Sequence, residues 1–390
     1  MLHSDKKALF LTALDYEAPI QIGDHQLARQ FAARGWQVGF ISKPVTPFHF
    51  LSRESAAIKR RFASHREGGY HYSIGDGTLW SFVPFALVIP QNIKPLVNRW
   101  IYTYWHKTII PGIRKTLEDQ GLLNVDLLYI RDPLQGNLMD LVNAKHKIFR
   151  IADNDAGFSS HNKLYSEVEK QVAQKVDLVA YTAKELEDIV NNLNPKQSYY
   201  LPNGVDFELF QGNKEPPQLY QALRRPIIVY AGSIDFWFDY DLINRLAADF
   251  PQYSFVIIGP NQKYGSKFVD VENLILTGAV PHSELPTYLA HADVGIIPFN
   301  REEYPKLVNS ISPVKLFEYM ASGLPVLSTK WDELENIDSP AVLCETHKDF
   351  LSALKDIPSL KRTSDSARRF AKNNDWSNRY NDLVNLISND

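Results

Sequence analysis

The chain has 390 residues and a single cysteine, Cys344. It can build neither an internal disulfide framework nor a cysteine zinc site. Cys344 reads as a small buried apolar residue in a strand. Long apolar runs are also missing. Phe82–Pro90 falls well short of the roughly 20 residues that a membrane helix needs. The N-terminal run Ala8–Leu14 stops at Asp15 without a small-residue cleavage site, so a first core strand accounts for it better than a secretory signal. The expected location is the cytoplasm. The eleven histidines show no pair at metal-ligand spacing. No acidic residue occurs from Gly77 to Leu117.

What is present is ordinary globular composition, with 44% hydrophobic and 22% charged residues. This length suits two or three domains. The net charge of −3 conceals a division: Lys43–Leu117 carries eleven Lys/Arg against Glu54, Glu67 and Asp76. A basic region of this kind points to a surface that meets something anionic.

Short apolar runs alternate with helical patterns. Strands are predicted at Ala8–Leu14, Gln37–Ile41, Leu127–Ile130, Lys147–Ile151, Leu178–Tyr181 and Ser198–Leu201, with a helix over Asp24–Arg34 stopped by Gly35. Prolines and turn formers then crowd Asn194–Pro226, as in a linker. The alternation restarts at Ile227–Ala231, Ser254–Ile258, Leu274–Leu276, Val294–Ile297 and Val326–Ser328, and a helix is expected over Arg369–Asn389. The prediction is α/β: two Rossmann-like domains with parallel sheets covered on both faces. Their expected extents are residues 1–203 and 204–370, with 371–390 as a helix crossing back to the first.

The most informative stretch is Ser312–Val326. Ser312 reads as an N-cap with Pro313 at the first helical position, and Gly323 and Pro325 close the helix. A helix N-terminus suits a diphosphate. Lys315 opposes the dipole there and so wants an anion. Glu318 lies three residues on, on the same face, where a carboxylate can accept both ribose hydroxyls. The bland alternative is a surface helix with one Lys–Glu pair. Other loops at strand ends favour the ligand: the Gly232-Ser233 turn, the Thr277–His282 turn with Val280 and Pro281 beside a pyrimidine edge, and the loop after Phe299 with Asn300 and Tyr304. Val314 belongs to the same helix start.

Gly278–Phe299 and Ser312–Val326 strongly resemble the donor domain of GT-B glycosyltransferases of the family 4 type. The resemblance implies two Rossmann-like domains facing each other across a cleft. It implies a nucleotide-sugar donor, with Glu318 as the second acid of the family signature, at the ribose. The first acid falls at Ser310, so retaining chemistry does not carry over directly. A further likeness is to the membrane-associated glucuronosyltransferases of xanthan assembly, through Asp15-Tyr16, Arg150–Asp153, Pro202–Asp206, the Gly232 turn and Lys315-Leu316. It implies Lys315 at the donor and Asp153 as the base of an inverting reaction. It also implies a UDP-sugar, either a uronic acid donor or a neutral hexose. A uronate carboxylate would meet a cation such as Lys315 or Arg150.

Asp153-Asn154-Asp155 directly follows the strand Lys147–Ile151, where such sheets present catalytic groups. Asp153 is the first candidate to take an acceptor hydroxyl proton and Asp155 the second. An Asx turn is the structural alternative. Asp15, Tyr16, His25 and Arg150 are the acceptor-side candidates, although a lone helical histidine is usually structural. No metal and no cofactor beyond the donor is expected, because Lys315 and the helix dipole can stabilise the leaving diphosphate.

Between Gly77 and Leu117 five basic residues mingle with Trp80, Phe82, Phe85, Trp100, Tyr102, Tyr104 and Trp105. Val97, Ile101, Tyr104 and Trp105 can share one helix face. The Lys43–Lys115 region reads as a surface lying on anionic lipid at the inner face of the plasma membrane, and the acceptor as a lipid-linked saccharide. Core packing competes for the aromatics. A retaining transferase, a sugar-nucleotide 2-epimerase and a non-catalytic nucleotide-sugar binder are the rival readings. No nucleic-acid motif accompanies the basic patch.

Overall fold

The chain adopts two α/β units in a computed structural model that describes residues 6–19, 21–51, 55–92, 94–153, 162–212 and 215–388. The first unit runs to Pro202 and takes in the chain again from Tyr380; the second spans Asn203–Arg379. The helix Trp376–Ser388 crosses that division. In the first unit Trp36 Nε1 donates to Tyr380 Oη at 3.1 Å.

The first unit holds eight strands: β1 (Lys7–Leu11), β2 (Gln37–Ile41), β3 (Tyr70–Ile74), β4 (Gly77–Phe82), β5 (Asn124–Ile130), β6 (Asn143–Ile151), β7 (Leu178–Tyr181) and β8 (Ser198–Tyr200). Their order is β3-β4-β2-β1-β5-β6-β7-β8. All pairings are parallel except β3–β4. β1 is shorter than predicted because the backbone leaves the sheet at Thr12, whose hydroxyl donates to the Leu14 carbonyl at 3.0 Å. The β3–β4 hairpin was not predicted. Its outer strand β3 is nowhere fully buried, so it carries no continuous apolar run, and only the Gly75-Asp76 turn marks it.

The second unit holds β9 (Ile227–Ala231), β10 (Ser254–Ile258), β11 (Leu274–Gly278), β12 (Val294–Ile297), β13 (Val326–Thr329) and β14 (Val342–Cys344). All are parallel, in the order β11-β10-β9-β12-β13-β14. β9, β10 and β12 are buried at every position, as expected of strands covered on both faces. Cys344 lies buried at the end of β14, and desolvation pushes its thiol up to about 12. It fills space and does no thiolate chemistry.

In both sheets the winding reverses beside the first strand, between β1 and β5 and between β9 and β12. Such switch points open a crevice beyond the strand C-termini, and open α/β sheets bind ligands there. Among the described residues no helix is long and apolar enough to cross a membrane.

Candidate active site

In the second unit the crevice is floored by the end of β9 and roofed by the helix Val314–Ala321. Tyr319 locks the two together: its hydroxyl accepts from the Ala231 N–H at 2.6 Å and lies 3.3 Å from the Ala231 carbonyl. Gly295 of β12 permits this, since a Cβ there would sit 2.4 Å from the Tyr319 ring. Gly323, at φ +73, ends the helix as predicted.

The start of that helix differs from the sequence reading. Pro313 is the N-cap, in extended conformation, and no side chain caps the helix. Ser312 is buried, and its Oγ has no hydrogen-bond partner among the described residues. Its backbone is held instead by Asn203, whose Nδ2 donates to the Ser312 carbonyl at 2.8 Å. That bond fixes Ser312 one residue outside the helix and leaves the first-turn amides uncapped for an anion.

Lys315 stands in this first turn. Its Nζ lies 4.8 Å from the Phe299 ring centroid and 5.7 Å from that of Tyr230. Gly232, at φ +150, lies directly beneath, and a Cβ there would come within 2.8 Å of Lys315 Cε. Among the described residues no carboxylate within 4.0 Å pairs with the ammonium. Desolvation among these groups lowers its pKa to about 8, with Glu318 as the opposing influence. A half-buried cation with no paired carboxylate among the described residues, at a helix N-terminus, has the chemistry to take an anion.

Glu318, one turn on, is already engaged. Its Oε1 accepts from His282 Nε2 at 2.8 Å, with side-chain exposures of 12% and 18%. His282 ends the turn after β11, and Phe210 sets its ring edge-on at 6.0 Å. Sequence reading used this turn for its backbone alone and missed the histidine side chain. In the same turn Val280 is half-buried and Pro281 exposed. Ser233 is exposed, and its carbonyl accepts from Tyr230 Oη at 2.6 Å. Val314 is half-buried. Tyr304 donates to Glu303 Oε1 at 2.6 Å and packs on Phe236. Ser310, where the signature's first acid would stand, is buried, and its hydroxyl donates to the Leu307 carbonyl at 3.1 Å. A carboxylate there would face a carbonyl oxygen, so the position is built for a donor.

In the first unit Asp153 follows β6, and its Oδ2 accepts from Arg131 NH2 at 3.1 Å. Arg131 follows β5 and was not singled out from sequence. The Asp153 side chain is 45% exposed. Asp155 lies outside the described residues.

The acceptor-side candidates separate. Asp15 is buried, with Arg60 Nε at 2.8 Å and Arg61 Nε at 3.7 Å from its carboxylate. Tyr16 Oη accepts from Arg29 Nε at 3.1 Å. His25 is fully buried, and its ring bonds the Asp15 carbonyl and the Ile22 N–H. Desolvation lowers its pKa, so His25 caps its helix and takes the structural alternative. Arg150 is sealed 1% exposed, with NH1 at 3.3 Å from Asp24 Oδ1, and Tyr129 donates to the same oxygen. That burial removes Arg150 as a partner for a sugar carboxylate.

Of the aromatics between Gly77 and Leu117, the core takes Trp80, Phe82, Tyr102 and Trp105, while Phe85 is half-buried. The helical face expected over Val97–Trp105 is therefore divided: the helix is Arg99–Tyr104, and Trp105 turns inward. Trp100, at 62%, and Tyr104 stay exposed, joined by Phe48, Phe50, Leu87 and Ile110. Lys107 lies over the Tyr104 ring at 4.7 Å.

Comparison with known proteins agrees with this division. The domain described as "Glucuronosyltransferase GumK, N-terminal domain" matches residues 10–182, and the domain described as "Glycosyl transferases group 1" matches 225–359. TuaH of Bacillus subtilis (strain 168), assigned by name to teichuronic acid biosynthesis, is 25% identical over 55% of this chain; the match takes in only 57% of that protein. The UDP-glucuronate:glycolipid 2-beta-glucuronosyltransferase of Xanthomonas campestris pv. campestris is 24% identical over 82% of this chain and 76% of its own. Among solved structures, the sucrose-phosphate synthase of Thermosynechococcus elongatus superposes with a TM-score of 0.71 at 15% identity, over 98% of this chain and 99% of that one. Anabaena HepE in complex with UDP superposes at 0.64 and 14% identity, over 98% and 100%. The chain thus carries a group 1 glycosyl transferase domain following a GumK-type N-terminal domain, on the GT-B glycosyltransferase fold.

Proposed function

We propose that this transferase moves a sugar, glucuronic acid in the first instance, from a UDP-sugar to a lipid-linked saccharide in polysaccharide assembly, with inversion at the anomeric carbon. The observation that carries the donor half is Lys315: a desolvated ammonium with no paired carboxylate among the described residues, beside an uncapped helix start at a sheet switch point. The diphosphate binds there, Glu318 accepts from the ribose, and the turn Gly278–His282 flanks the base. As the sugar departs, negative charge builds on the diphosphate, where Lys315 and the helix amides oppose it. No divalent metal takes part in this scheme.

Asp153 accepts the proton of the attacking hydroxyl, and Arg131 orients its carboxylate. Inversion is supported by Ser310, which leaves the family's first acid missing and its place holding a donor. It also fits the 2-beta linkage in the name of the Xanthomonas relative, since a β product from an α-linked UDP-sugar is an inversion. The test is incubation with UDP-glucuronate and a polyprenyl-diphosphate-linked saccharide in excess EDTA, with the product read by proton NMR. A β-linked product is expected. An α-linked product, or activity that needs added manganese, would overturn the scheme.

The acceptor is lipid-linked and is met at the inner face of the membrane. Phe48, Phe50, Leu87, Trp100 and Ile110 are exposed apolar groups in one unit, with Lys59 and Lys107 exposed in the same basic region. Arg60 and Arg61 are unsuitable for testing this because they hold Asp15. Each lysine near an anionic surface contributes about 1 kcal/mol. Lys59→Gln with Lys107→Gln should therefore lower partition into phosphatidylglycerol vesicles roughly tenfold or more. Unchanged cosedimentation would remove the membrane from the proposal.

A further inference from the structure

Lys315 and Glu318 are three residues apart in one helix, a spacing at which opposite charges pair. Yet the carboxylate is turned to His282, and no pair with the ammonium forms among the described residues. A carboxylate 12% exposed needs a donor. His282 supplies one from a different element, the turn after β11. One bond from Nε2 uses a single lone pair of Oε1, so enough acceptor sites remain on the two oxygens for both hydroxyls of a ribose.

We propose that His282 is a positioning residue for nucleotide binding: it holds Glu318 away from Lys315, so that the carboxylate stays free for the ribose hydroxyls and the ammonium for the diphosphate. This rests on the reading that Glu318 meets the ribose. Without His282 the Glu318 carboxylate swings to its neighbour one turn back, and the two groups neutralise each other instead of the ligand. Phe210 against the imidazole edge keeps the ring in the plane that aims Nε2 at Oε1. His282 touches no reacting atom and is not itself catalytic.

The test uses calorimetric titration of the full chain with UDP and with 2′,3′-dideoxy-UDP, which lacks both hydroxyls. The wild type should bind UDP more tightly than the analogue, and Glu318→Ala should erase the difference. His282→Ala should reduce the difference about tenfold and weaken UDP itself. His282→Gln, whose amide nitrogen reaches the Nε2 position, should restore both. His282→Asn, too short to reach, should not. The Gln–Asn contrast answers the question even if the alanine variant folds poorly, because a space-filling role would not separate them. If Glu318→Ala loses the discrimination while His282→Ala and His282→Asn keep it, the positioning role is wrong and the ribose reading stands. If Glu318→Ala keeps the discrimination, or the wild type binds UDP and the analogue equally, the ribose reading fails and the inference falls with it.

Discussion

Asp153→Asn should lower kcat by about 10²–10⁴ while leaving UDP affinity unchanged. Asparagine keeps the shape of the side chain, and its carbonyl oxygen can still accept from Arg131 NH2, now 3.1 Å from Oδ2. What it loses is the capacity to take a proton. In the proposed scheme Lys315 and Glu318 hold the donor, so the loss should fall on turnover and spare UDP affinity. Arg131→Met leaves the carboxylate in place but removes the ion pair that Arg131 makes with its Oδ2. A smaller fall in kcat is expected there. Steady-state kinetics with calorimetric UDP titration checks both variants. Equal losses in kcat and UDP affinity for Asp153→Asn would remove it as the base.

Lys315→Met should lower kcat/KM for the donor by about 10²–10³ without lowering the melting temperature. The two expectations together separate a ligand contact from a structural one. Methionine retains the apolar stem that crosses Gly232 and packs by Tyr230 and Phe299. The ammonium itself destabilises the unliganded fold, because burial disfavours its charge. Removing it is expected to cost the empty protein nothing and a bound diphosphate its main cation. A variant that melts earlier and binds UDP as before would show that Lys315 holds the fold and not the ligand.

The sheets were legible because parallel strands buried on both faces are written as unbroken apolar runs. Ile227–Ala231, Ser254–Ile258 and Val294–Ile297 were all read in place. β3, β4 and β14 were not, since none is buried throughout and each is too short to show a period. The helix over Ser312–Val326 was legible through Gly323 and Pro325, but its first residue was not. Proline after serine suits an N-cap followed by N1, and what moved the cap to Pro313 was Asn203, bonded to Ser312 from 109 residues away. The candidate site shows the same limit. Lys315 and Glu318 share a helix, and local spacing finds them. His282 meets Glu318 across 36 residues and Arg131 meets Asp153 across 22, and no periodicity records such encounters. Arg150 misled for a related reason: an arginine beside the Asp153 motif reads as functional until Asp24, 126 residues away, is seen to neutralise it in the core.

The central claim is that Lys315 binds a nucleotide diphosphate, and its pH dependence tests this most directly. The lysine's pKa is depressed to about 8 in the free protein, so the ammonium is present below that value and lost as pH rises through it. The terminal phosphate of UDP ionises near pH 6 and the uracil N3–H begins to ionise only at about pH 9, so the ligand's charge is constant from about pH 7 to just below about pH 9. Calorimetric titration of UDP from about pH 7 to about pH 9 should give constant affinity up to about pH 8 and progressive weakening beyond, with proton uptake on binding above the breakpoint. Lys315→Met should bind weakly and without the breakpoint. Affinity in the wild type that stays flat through about pH 9, or a breakpoint at about pH 8 that survives in Lys315→Met, would contradict the account.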